Sequence, residues 1–133
     1  MKATIASLLM LLFFSACSTQ QPIHSISASP VPLRINGSIL TQDEVKKAIF
    51  SAAKIKGWTP TSIDDDTVEA QITVRQRHKA TIDINYSDRS YSFTLKNSED
   101  LDQKAGMIHR NYNKWIILLD QQIQAELLEI ATK

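Results

Sequence analysis

The chain has 133 residues, 43% hydrophobic and 22% charged, the balance of one ordinary globular domain rather than of a disordered chain. Its net charge is +1, from 15 basic and 14 acidic residues, and without Lys2 the two counts are equal, so no charge excess draws it to nucleic acid and no basic block attracts anionic lipid. A single cysteine excludes an intrachain disulfide framework and a cysteine-rich zinc site.

Residues 1–16 read MKATIASLLMLLFFSA. Lys2 precedes an apolar run from Ile5 to Phe14, interrupted only by the small Ala6 and Ser7. At ~1.5 Å per residue this run is too short to cross ~30 Å of hydrocarbon as a helix. Its length and flanks are those of a secretory signal peptide. The four residues Phe14-Ser15-Ala16-Cys17 resemble the lipobox of bacterial lipoproteins: a large aliphatic residue, a small one, Gly or Ala, then Cys. Phe14 stands where that family usually has Leu.

The resemblance implies cleavage before Cys17, transfer of a diacylglycerol to its thiol, and acylation of the new amine by a fatty acid such as palmitate. One chain binds a membrane only marginally and several hold firmly. Ser18 is not Asp, which by the sorting rule of Gram-negative lipoproteins implies the outer membrane and a periplasmic domain. A thiol left free in an oxidising compartment would be a liability, which agrees with its being consumed.

Residues 17–38 follow as the lipidated cysteine and a flexible tether. From Ser18 to Ser38 they hold six Ser/Thr and three Pro, a composition too polar and too interrupted to fold alone. Val31, Leu33 and Ile35 are the positions at which this stretch can pack along a domain. A single domain is expected over 39–133, with every sheet residue after Gly37.

That domain opens on Thr41-Gln42-Asp43-Glu44, a capping box, with Leu40 placed to staple onto Val45. Val45, Ala48, Ile49, Ala52 and Ala53 keep helical spacing, and Lys46, Lys47 and Lys54 lie outside it. Gly57 supplies the left-handed stop and Trp58 the residue that folds back on the last turn. A weak strand surrounds Ser62 and Ile63, and Pro60 assigns it to an edge. Three runs then alternate with period 2: Val68, Ala70, Ile72, Val74; Ala80, Ile82, Ile84, Tyr86; Tyr91, Phe93, Leu95. One apolar and one polar face per strand predict an antiparallel sheet covered on one side.

The last helix is expected from about Lys104 to Ala131. Its stripe is Ile108, Tyr112, Trp115, Ile116, Leu119, Ile123, Leu127 and Ile130. Ile117, Leu118 and Leu128 fall off that stripe and form the candidate partner surface. The fold class is therefore α+β: a four-stranded antiparallel meander with two helices packed on one face, in the order α-β-β-β-β-α.

His78, Ala80, Ile82, Tyr86, Tyr91, Asn97-Ser98, Leu101 and Ile108 to Trp115 resemble a group of small bacterial periplasmic lipoproteins with no assigned mechanism. The likeness covers about forty residues and implies no chemistry.

No candidate constellation outweighs its structural explanation. Asp64-Asp65-Asp66 lacks the spacing and glycine of a calcium loop and reads as a solvated hairpin. His24, His78 and His109 are the only histidines; His109 and Asn113, one helical turn apart, are better placed to tie the helix start to neighbouring backbone than to hold zinc. No nucleophile elbow or phosphate-binding glycine loop is present. Glu69 and Asp83 are expected to face Arg75 or Lys96 across strands. The expectation is a non-catalytic lipoprotein without cofactor or metal, joined to the membrane by the lipid on Cys17 and serving an envelope protein partner. A ligand or peptide binder using the polar sheet face or an edge strand is the alternative.

Overall fold

A computed structural model describes residues 18–133. The elements in chain order are β1 (Gln20–Pro22), β2 (Ile26–Pro30), α1 (Gln42–Ile55), β3 (Thr59–Ser62), β4 (Thr67–Val74), β5 (His78–Tyr86), β6 (Ser90–Glu99), β7 (Met107–His109) and α2 (Arg110–Ala131). The α+β class holds. The sheet has five antiparallel strands in the order β2-β6-β5-β4-β3, and β1 pairs with β7 in a separate two-stranded ladder.

The meander β3 to β6 has the expected sequence order, and the difference from the four-stranded expectation is β2. It adds to β6 with Ile26 opposite Phe93 and Ser29 opposite Tyr91. The register shifts between those pairs, where Ala28 takes φ 53°. The stretch 17–38, expected as a free tether, thus supplies two strands from residue 20 onward. Val31 packs half-buried on the core, while Leu33 and Ile35 are exposed.

α1 forms as its sequence dictates. The Thr41 hydroxyl accepts the Glu44 N–H, and the Glu44 carboxylate accepts the Thr41 N–H at 2.8 Å. That N–H and the neighbouring Arg34 guanidinium hold the Glu44 carboxyl below its ordinary value. Leu40 and Val45 are fully buried together, as a staple requires. At the other end Gly57 sits at φ 83°, and Trp58 N–H reaches back to the Ala53 carbonyl at 2.8 Å.

Both helices cover the apolar sheet face in one core, centred on Ile49, Ile82, Ile84, Ile116, Leu119 and Ile123. In β6 the register slips between Leu95, opposite Ile82, and Asn97, opposite Thr81. The extra residue at this bulge is Lys96.

α2 begins later than its periodicity predicts, at Arg110 rather than Lys104. Ile108 fits the stripe because it stands four residues before Tyr112, but it lies in β7 opposite Gln21. Of the aromatics expected in the core, Tyr86, Tyr91, Phe93 and Tyr112 are buried, and Trp115 is only half-buried against its margin.

Candidate functional site

Cys17, the expected lipidation residue, lies outside the described residues. Immediately after it the chain is held. The Thr19 carbonyl accepts the Arg110 N–H at 2.8 Å, and Gln20 stands opposite His109 in the β1–β7 ladder. The Ile23 N–H bonds the Gly106 carbonyl at 2.9 Å, and the Gln20 side-chain amide donates to the Asp102 carbonyl at 2.8 Å. The receiving loop is conformationally costly: Asp100, Asp102 and Ala105 all have φ above 50°, where L-residues are disfavoured.

Asn113 completes this clasp. It is 7% exposed; its Oδ1 accepts the His24 N–H, and its Nδ2 donates to the Pro22 carbonyl and to Gln21 Oε1. The expectation that Asn113 ties the helix start to neighbouring backbone is met. His109 is the N-cap of α2 and accepts the Asn111 N–H. His78 Nδ1 sits 2.7 Å from the Asp100 carbonyl at the mouth of its hairpin.

Further along α2 the same chain segment is bound again. The Tyr91 hydroxyl, fully buried at ring level, donates to the Asp120 carboxylate and accepts from the Gln124 amide. Ser29 Oγ donates to the same carboxylate, and Gln124 also donates to the Pro30 carbonyl. Burial first, then the Asp120 carboxylate, pushes the Tyr91 hydroxyl well above its ordinary range.

The three proposed partner residues separate. Ile117 and Leu128 are exposed, at 42% and 53%, but Leu118 is half-buried and leaves the set as an exposed anchor. Leu33 and Ile35, read from sequence only as places where the tether packs, are exposed at 58% and 83%. They flank Arg34, whose guanidinium pairs with Glu44 and donates to the Ile130 carbonyl, while the Ile35 N–H reaches the Ala131 carbonyl. Leu33, Ile35 and Leu128 therefore gather around the C-terminal end of α2. A sequence signal was present: apolar residues either side of an arginine, just after Pro30-Val31-Pro32, in a stretch otherwise polar.

On the outer sheet face Lys96 Nζ lies 2.7 Å from Glu69 and 3.9 Å from Asp83, as expected of two acids sharing a cation across strands. Lys96 lowers the Glu69 carboxyl, and Glu69 raises the Lys96 amine. The Asp64-Asp65-Asp66 turn bonds itself, with the Asp64 carboxylate accepting the Asp66 N–H. Among the described residues no three His, Cys, Asp or Glu side chains gather to hold a metal ion. No described helix is long and apolar enough to cross a membrane.

No family model, curated protein or solved structure matches the chain.

Proposed function

We propose that this chain is a lipoprotein of the outer membrane, anchored through Cys17 on the periplasmic face, and that it is a non-catalytic binding or assembly accessory of the envelope. The lipobox resemblance supports the anchor. The observation that carries the binding role is the uncovered apolar group at the end of α2: Leu33 at 58%, Ile35 at 83% and Leu128 at 53% exposure. A single exposed leucine needs no explanation. Three large aliphatic side chains at one end, steered there by an arginine tied to both helices, form a surface suited to a protein partner.

Strand addition, the rival mode, has less support. The sheet edges are β2 and β3; the first is bulged at Ala28, and the second carries Pro60, which has no N–H to offer.

The test pairs two measurements on Ile35→Lys/Leu128→Lys. Thermal stability should stay within about 1 kcal/mol, as for exposed positions, and the yield of a crosslinked envelope complex should fall sharply. Unchanged stability with unchanged crosslinking would remove the partner role from this end.

A further inference from the structure

Ser18 and Thr19 alone separate Cys17 from β1. At ~3.5 Å per residue, this leaves about 10 Å between the cysteine and the first paired residue. A lipid on Cys17, the premise taken from the proposed function, leaves the domain no tether on which to stand off. We propose that the end of the domain formed by β1, β7 and the first two turns of α2 sits directly on the bilayer surface, with Arg110 and Lys114 against the phosphates of phospholipid headgroups.

The charge at this end fits that occupant. Gln21, Arg110, Asn111, Asn113, Lys114 and Ile117 line an open cleft of ≈ 380 Å³ beside β1. Arg110 and Lys114 are exposed, as is Lys104 on the loop that receives β1, and none of the three makes an ion pair among the described residues. Asp100 is occupied by Arg77, which leaves Asp102 as the one acid from residue 100 to 117 with no ion pair among the described residues. No basic block exists in the sequence, yet the fold gathers three free cations within reach of the anchor. The reach is comparable to the ~8–10 Å over which salt screens charge, so attraction to anionic headgroups survives.

This placement also divides the two exposed apolar residues of α2. Ile117, at the edge of the cleft, faces the membrane. Leu128, eleven residues on and so about 16 Å further along the helix, points into the periplasm with Leu33 and Ile35.

The experiment uses the full lipoprotein, purified with its acyl chains and reconstituted into vesicles of phosphatidylethanolamine and phosphatidylglycerol. A fluorophore is placed at Asn111→Cys or at Glu129→Cys, and quenching by headgroup-labelled lipid is measured. The dye at 111 should be quenched several-fold more than the dye at 129. Arg110→Glu/Lys114→Glu should abolish that difference while fatty-acid label and vesicle recovery persist. Equal quenching at both positions in fatty-acid-labelled protein would overturn the docking alone. Absence of fatty-acid label on the purified chain would overturn the anchor, and the docking with it.

Discussion

Asn113 Oδ1 accepts the His24 N–H at 2.8 Å, a bond that spans 89 residues of chain. It joins the first turns of the last helix to a segment whose composition is that of a linker. With the Pro22 carbonyl held by the same side chain, it makes residues 20–24 part of the domain. Asn113→Ala would remove both bonds at a part-buried site whose backbone groups lie on exposed residues, at about 0.5–1.5 kcal/mol for each bond lost. We expect a lowered melting temperature and faster amide exchange at Ile23 and His24. Unchanged exchange there would show that β1 holds without Asn113.

Removing the whole segment should be worse. A chain starting at Gly37 keeps the capping box and the meander but loses β1, β2 and the half-buried Ile23, Ile26 and Val31. Each buried aliphatic side chain contributes about 1.5–3 kcal/mol when fully covered, and these are partly covered. The loss, together with the bonds at Asn113, Asp120 and Gln124, is comparable with the ~5–15 kcal/mol stability of a whole domain. Loss of cooperative unfolding is the expected outcome. A sharp, near-wild-type denaturation curve would return residues 18–36 to the status of a tether.

Tyr91 joins β6 to α2 through Asp120 and Gln124. Tyr91→Phe removes a bond to a carboxylate, for which about 1.5–3 kcal/mol is typical. The hydroxyl also sets an alkaline limit. Its folded-state pKa is raised above the ordinary 10.0, so the folded state disfavours the phenolate. Its contribution is complete below pH 10 and is lost as pH climbs above that value. Stability of the wild type should therefore fall beyond pH 10 more steeply than that of Tyr91→Phe, as followed by denaturant midpoints. Parallel curves would place the hydroxyl in contact with water.

Arg75 and Gln76 turn β4 into β5 with φ of 53° and 60°. Arg77 N–H reaches the Val74 carbonyl at 3.3 Å to close the turn. The connection between the paired Val74 and His78 is three residues long, and the two left-handed residues are the central pair of its tight turn, the conformation for which Asn-Gly is preferred. Arg75→Asn/Gln76→Gly should stabilise the protein by about 1 kcal/mol through relieved strain. A lower melting temperature would mean that the arginine or glutamine side chain contributes more than the strain costs.

Local chemistry made much of the fold legible. Thr41 and Glu44 announce a helix start by residue type and spacing, and the alternation from Val68 to Leu95 needs only period 2 to be read. The misses are tertiary. Ser-Ala-Ser-Pro has no strand signature of its own; it is extended because β6 offers an unpaired edge and because Asp120 and Gln124 bind Ser29 and Pro30. Ile108 carried a helical period into a strand, since the spacing of four to Tyr112 is blind to the ladder with Gln21. Helical angle alone puts Leu118 outside the core, yet it is half-buried. The cations Lys104, Arg110 and Lys114 are scattered in sequence, and only the clasp at Asn113 puts them beside the chain that leads to Cys17.

Covalent attachment at Cys17 is the claim from which both membrane placement and periplasmic contact proceed. Metabolic labelling with a fatty acid tests it most directly, comparing the full chain with Cys17→Ser. Serine has no thiol to form the thioether. The account predicts label on the wild type, none on the variant, and retention of residues 1–16 on the variant. Label persisting on Cys17→Ser, or absent from the wild type, would contradict it.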